Sequence, residues 1–207
     1  MAQELAKPFS AKLPSIEPMF PSTPDLMLQT DRDCPLSDLC RMVDHAAQKA
    51  AASLLAELAE GVAAADGILA YLPEALRQGH PDHYTRHIAY ADPQGRFTIA
   101  YLIWRQGQFS PVHGHKTWCT YRVLQGQLSE SHFRWNAQTG QAEPTGGKLR
   151  RPGEIVTAMP GLQQIHRLGN AQAQTAISLH IYGVPQADIA TGVNLTVGSA
   201  QALSFPG

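Results

Sequence analysis

Gly107-Gln108-Phe109-Ser110-Pro111-Val112-His113-Gly114-His115-Lys116-Thr117-Trp118-Cys119-Thr120-Tyr121-Arg122-Val123-Leu124-Gln125-Gly126 is the stretch on which the reading of this chain turns. His113 and His115 stand two apart around a glycine, so in an extended chain both imidazoles leave the backbone on one side. Two nitrogen donors on one face can serve a metal ion, whereas a lone histidine is more often just hydrogen-bonded. Gln125-Gly126 marks a tight turn between two apolar runs. A third imidazole, His166, lies in the distant stretch Gln164-Ile165-His166-Arg167-Leu168-Gly169-Asn170. If another strand brings it beside the first pair, three histidines cover one side of an ion and leave the remaining positions open. Residue type alone suits zinc with an activated water as well as iron.

Outward from this stretch, short strands alternate with turn signals. Residues 84–91 and 96–104 read as strands joined at Asp92-Pro93-Gln94-Gly95. Phe97, Ile99, Tyr101 and Ile103 alternate with Thr98, Ala100, Leu102 and Trp104. Further strands fit residues 118–124, 127–135, 154–158, 174–182 and 192–204. Such a series of short strands points to a mainly β chain closed into a barrel or jelly roll. The N-terminal part differs. Residues 1 to about 34 are broken by Pro8, Pro14, Pro18 and Pro21 and read as extended. Helix formers fill Leu39 to about Gly61, with Ser37 or Asp38 as the expected cap, and a second helix is predicted over residues 65–77. The expected division is residues 1–83 as an extension and helices packed on the barrel and residues 84–207 as the barrel, together one structural domain.

Composition limits the function classes. The 16 Lys+Arg and 17 Asp+Glu balance to a net charge of -1, which gives no electrostatic ground for a nucleic-acid or anionic-membrane partner. No apolar run approaches the roughly 20 residues needed to span a bilayer. Three cysteines (Cys34, Cys40 and Cys119) are too few for a disulfide framework and read as reduced thiols of a soluble, cytoplasmic protein.

The spacing around the histidine pair carries a resemblance. Gly107, five residues, His113-Gly114-His115, three residues, Cys119, six residues and Gly126 resembles the first motif of the cupin superfamily. Cys119 stands there where a glutamate ligand is usual. Gly153, Pro160-Gly161, His166 and Asn170 follow the outline of the second motif, with different spacing around the proline. The implied fold is a cupin jelly-roll β-barrel with N-terminal α-helices.

In Ile177-Ser178-Leu179-His180-Ile181-Tyr182, the polar residues Ser178, His180 and Tyr182 alternate with apolar ones. Periodicity alone favours an outward polar face with Ile177, Leu179 and Ile181 inward. Taken with Tyr84-Thr85-Arg86, Trp104, Leu124-Gln125-Gly126 and His166-Arg167, however, the Ser-x-His-x-Tyr pattern resembles the thiol dioxygenases, specifically the cysteine dioxygenase family, across roughly residues 80–185. The resemblance implies an iron(II), Fe(2+), enzyme that adds both atoms of O2 to a small-molecule thiol, with L-cysteine giving cysteine sulfinate. It implies iron ligands His113, His115 and His166. Arg86 would bind the substrate carboxylate, Tyr84 would line the pocket, and Tyr182 would act beside the reacting thiol, oriented by His180 and Ser178. Taken alone, Arg86 would read as a surface charge. The resemblance also raises a Cys119–Tyr182 thioether crosslink as an alternative to a plain buried thiol. Trp118 implies a changed pocket wall.

Two rivals share parts of this pattern. A 3-mercaptopropionate dioxygenase would carry glutamine in place of Arg86 and an arginine beyond the final strand; here no arginine follows Arg167. A non-catalytic metal-binding cupin would share the triad. The expected assembly is a monomer or small homo-oligomer.

Overall fold

The structure, a computed structural model, describes residues 34–47 and 51–199. The extended reading of the first 34 residues and the end of the 192–204 strand lie outside that range.

Two helices come first, α1 (Pro35–Ala47) and α2 (Ala51–Ala64). Leu36, Leu39, Val43 and Ala46 of α1 and Leu54, Leu58 and Val62 of α2 are buried at steps of three and four, one apolar stripe on each helix. The expected single run to Gly61 is thus two elements. The cap also differs from expectation. Pro35 takes the first helical position, where a missing N–H costs nothing, and Cys34 Sγ receives the Ser37 N–H at 3.4 Å. The helix predicted over residues 65–77 is instead two 3-10 turns, Ile68–Tyr71 and Glu74–Leu76. Gly67 is left-handed (φ 71°), and Pro73 pushes Leu72 into extended backbone (ψ 116°), so an α-helix cannot run through either.

Ten strands follow: β1 (Thr85–Ala91), β2 (Thr98–Trp104), β3 (His113–His115), β4 (Cys119–Gln125), β5 (Leu128–Asn136), β6 (Gln141–Arg150), β7 (Ile155–Ala158), β8 (Gly161–Gly169), β9 (Ala176–Tyr182) and β10 (Asn194–Thr196). They form two five-stranded antiparallel sheets, ordered β1-β2-β9-β4-β7 and β10-β3-β8-β5-β6. This is the expected mainly β jelly roll with N-terminal helices. Sequence reading missed β6 and β8 as strands. β6 carries Pro144 and the Gly146-Gly147 pair on an exposed edge, where the strand signal is weak.

The β1–β2 turn closes through Gly95 N–H to Asp92 C=O at 2.8 Å. Gly126 turns β4 into β5 at φ 68°, and a Cβ there would sit 2.8 Å from the Thr175 carbonyl oxygen. No larger residue fits that turn.

The first sheet is buried on both faces, and every residue of β2 and β9 is buried. Phe97, Ile99, Tyr101, Ile103, Ile177, Leu179 and Ile181 face the helices in one cluster. Ala100, Leu102 and Trp104 face the barrel interior with Tyr121, Val123 and Leu168. Polar contacts fasten the helical layer. Tyr101 Oη donates to the Ile68 carbonyl at 2.7 Å, and Arg122 donates to the Val62 carbonyl at the end of α2 at 2.9 Å. Among the described residues no helix is long and apolar enough to cross a membrane.

Candidate metal centre

β3 is three residues long, and all three are buried. Its His113 is directly paired with His166 of β8, so the strand register alone brings the distant imidazole to the first pair. A register shift between His113 and His115 then sets His115 opposite Gly161. Gly114 is required, because a Cβ there would run into the Gly161 carbonyl oxygen. One ligating nitrogen from each histidine lies within 4.8 Å of the others. The ring centroids of His113 and His166 are 4.6 Å apart, and those of His115 and His166 are 5.0 Å apart.

The donor chemistry fits a metal ion. His113 Nδ1 lies 2.9 Å from the Pro111 carbonyl, which can only accept, so Nδ1 carries the hydrogen and Nε2 keeps its lone pair. His166 Nδ1 lies 2.7 Å from Glu130 Oε1, with the same consequence. Among the described residues, His115 Nδ1 is buried with no hydrogen-bond partner. Burial, then the charge of His166, pushes His113 down to about 3 and His115 down to about 4. Both are therefore neutral near pH 7 and able to coordinate.

Glu130 escaped the sequence reading. It is 2% exposed on β5, receives His166 on one oxygen, and on the other meets Arg150 at 2.6 Å and His132 at 3.1 Å. Burial alone would raise its pKa. The hydrogen bond and charge of His166 and the charge of Arg150 instead hold its carboxyl well below the usual range. The available signal was the period-2 spacing to Leu128, which places Glu130 on the inward face.

The opposite wall comes from the other sheet. Ser178, His180 and Tyr182 are all buried and face inward, against the reading from periodicity, because the helices bury Ile177, Leu179 and Ile181 behind them. The chain of hydrogen bonds has a direction. An indole N–H can only donate, and Trp104 Nε1 lies 3.0 Å from Ser178 Oγ. The fully buried Ser178 hydroxyl then places its hydrogen on His180 Nε2 at 2.9 Å. His180 Nδ1–H donates in turn to the Tyr182 oxygen at 2.9 Å. The Tyr182 hydrogen is left to point into the recess. Burial, then the Arg86 charge, pushes the His180 pKa well below its ordinary value, so this imidazole is neutral.

Arg86 stands on β1 with its guanidinium 5.7 Å from the Tyr182 ring centroid, anchored by donation to the Ile189 carbonyl at 2.9 Å. It is the one formally charged side chain among those lining the recess in the described residues. Tyr84 stacks on Trp104 at 4.3 Å. Cys119 of β4 is directly paired with Tyr182 of β9, and burial, then the Glu130 charge, pushes its thiol up to about 12. Trp118 corrects an expectation: it packs with the helix-facing cluster, not the recess, and its indole occupies the space a Cβ on Gly183 would need. Every sequence-selected site residue lines the recess except Ser178, which stands behind His180. The recess is narrow, with a cavity volume of about 30 Å³.

An antiparallel jelly roll with a buried three-histidine cluster and an arginine across a small recess has the build of a single-metal site. By sequence the chain belongs to the cysteine dioxygenase type I family, whose model matches residues 76–191. It is 32% identical over 107 residues to cysteine dioxygenase type 1 of Danio rerio and 28% identical over 105 residues to that of Rattus norvegicus. In each case the match covers 49% of this chain and 52% of the relative, so the chain spans about half the length of the curated relatives it matches. Among solved structures, a Thermus thermophilus protein aligns at 19% identity and TM-score 0.42 over 54% of this chain and 92% of its own. A Klebsiella pneumoniae protein with a double-stranded β-helix domain aligns at 18% identity and TM-score 0.39 over 52% of this chain and 77% of its own.

Proposed function

We propose that this chain is an iron(II)-dependent thiol dioxygenase that converts L-cysteine and O2 to cysteine sulfinate. One observation carries the reading: the His113–His115–His166 triad and the Arg86 guanidinium face the same small recess from opposite sheets. A divalent ion with Arg86 amounts to three positive charges, and a substrate with a thiolate at one end and a carboxylate at the other compensates two of them. The name of the curated relatives points to the same substrate.

An iron(II) ion held by the three imidazoles would supply the redox chemistry for adding both oxygen atoms to a thiol. The protein supplies position. Arg86 clamps the carboxylate with a fork that stays charged at any working pH, and the Ile189 carbonyl keeps that fork from swinging away. The substrate sulfur is thereby held on the triad's side of the recess. Tyr182, its oxygen already accepting from His180, turns its own hydrogen toward the reacting sulfur and oxygen. The balance is one thiol and one O2 to one sulfinic acid, with no other co-reactant. Arg86 favours cysteine over 3-mercaptopropionate, since the carboxylate anchor sits on β1 and no arginine follows Arg167.

The direct pairing of Cys119 with Tyr182 also supports a thioether between them, formed with loss of two hydrogens to O2, the oxidant of the proposed reaction; peptide mapping reads this as a linked peptide two hydrogens lighter than its parts. The main test is oxygen uptake by iron-loaded protein with a panel of thiols. Cysteine should be consumed with one O2 per sulfinate. A large kcat/KM preference for 3-mercaptopropionate would overturn the substrate, and no uptake with any thiol would overturn the activity.

A further inference from the structure

The three histidines differ in what stands behind them. Among the described residues, His113 gives its Nδ1–H to a neutral carbonyl, His115 has no partner at Nδ1, and only His166 faces a carboxylate, Glu130, at 2.7 Å. That carboxylate is held firmly. Arg150 at the end of β6 donates to Oε2 from Nε and from a terminal nitrogen, each at 2.6 Å, and His132 reaches the same oxygen at 3.1 Å. Arg150 is itself tied to Glu154 at 3.3 Å. With Oε2 taken by Arg150 and His132, Oε1 faces His166. Burying an acidic residue this deeply is costly unless it is paired, and the buried His166 and the half-buried Arg150 are its partners.

We propose that Glu130 is a positioning residue of the metal centre, fixing His166 as the Nδ1–H tautomer with Nε2 aimed at the ion and supplying the negative charge that the three ligands lack. The inference rests on the triad holding a metal, and it adds an asymmetry to that site. Cys119 offers no carboxylate at the ion, so charge compensation comes from one hydrogen bond further out and through a single ligand. Of the three imidazoles, His166 becomes the strongest donor. Arg150 acts indirectly by keeping the Glu130 carboxylate from rotating.

The test is metal affinity, separate from thiol oxidation. The full-length apo protein is titrated with Co(II) against a competing chelator, and its melting temperature is measured without metal. Glu130→Gln should weaken Co(II) binding about 10–100-fold. Because this substitution leaves Arg150 without an anionic partner on that side, the melting temperature should fall as well. The double variant Glu130→Gln/Arg150→Gln removes the stranded cation: its melting temperature should recover while its Co(II) affinity stays weak. Glu130→Asp keeps the charge but withdraws it from His166, and should lie between wild type and the Glu130→Gln variant. In the Zn(II)-loaded wild type, the His166 Nδ1 proton should give a low-field NMR resonance that moves upfield in the glutamine variants. Wild-type affinity in a folded Glu130→Gln variant overturns the proposal, as does a double variant that regains affinity together with stability. Absence of Co(II) binding by the wild-type protein would overturn the metal-site reading itself and this proposal with it, an outcome distinct from a Glu130 effect.

Discussion

The two sheets of the barrel meet at one recess but bring different things to it. The β10-β3-β8-β5-β6 sheet carries His113, His115, His166 and Glu130, the groups suited to a cation. The β1-β2-β9-β4-β7 sheet carries Arg86, Trp104, Ser178, His180, Tyr182 and Cys119, the groups suited to an organic anion and a proton. They differ in support as well. The second of these sheets is packed on both faces, with helices outside and recess inside, whereas β6 of the other lies largely open to solvent. Rigid burial on the substrate side holds the direction of a hydrogen-bond chain. On the metal side, strand register does most of the work, because His113 and His166 are paired residues and need little else to meet. If this division is right, substitutions on one sheet should remove metal, and substitutions on the other should remove turnover while leaving metal in place.

The largest effect tests the metal side. His166→Ala takes away one of three ligands and leaves Glu130 facing a void. Iron content after anaerobic loading should fall to a small fraction of wild type, and cysteine-dependent O2 uptake should fall to background. Retention of full iron content would break the comparison at its root.

Tyr182→Phe tests the other sheet. It deletes the hydroxyl at the end of the Trp104–Ser178–His180 chain and keeps the ring. The expected result is a fall in kcat of about 100-fold, the scale of a positioned proton donor, with iron content unchanged. Ser178→Ala should cost less, because it loosens His180 without removing the group that faces the recess. Arg86→Gln should act mainly on binding. Losing a charge-assisted anchor worth about 1.5–3 kcal/mol should lower kcat/KM for cysteine about 10–100-fold, chiefly through KM. An iron content that dropped with either Tyr182→Phe or Arg86→Gln would show the two sheets to be coupled.

The metal side was largely legible in the sequence. An H-x-H spacing in extended chain dictates a shared face, and the third histidine needed only a strand to carry it. The substrate side was not legible from its own pattern. Ser178, His180 and Tyr182 alternate with Ile177, Leu179 and Ile181 as they would on a strand with one wet face. What makes both faces dry is the helical layer that covers the sheet, a tertiary fact outside any local window. Only the family resemblance pointed the right way. Glu130 was missed because a lone acid between two serines looks like surface, and its partners, Arg150 and His166, lie 20 and 36 residues away. The helix expected over residues 65–77 fails for a local reason: left-handed Gly67 and Pro73 break it despite the leucines around them.

The smallest effect concerns the helical layer that makes the substrate sheet dry. Asp92, at the end of β1, is 7% exposed and takes two side-chain hydrogen bonds from Arg96 at 2.8 Å; Arg96 also reaches Asp44 of α1. This network ties the β1–β2 turn to the first helix. The Arg96 hydrogen bonds outweigh burial and push the Asp92 carboxyl down to about 2 from an ordinary 3.8. A depressed carboxyl binds protons less readily when folded than when unfolded, so its stabilisation is complete above about pH 4 and fades as pH falls toward 2. With Arg96 partly solvated, the contribution should be roughly 1 kcal/mol. Asp92→Asn should therefore lower the melting temperature by a few degrees at pH 7, and the gap to wild type should close as the pH is taken down through that window. Iron content should not move. A gap that held constant into acid would mean that Asp92 acts through its backbone turn, not its charge, and that the Asp92–Arg96 ion pair adds nothing to the hold of the helical layer on the substrate sheet.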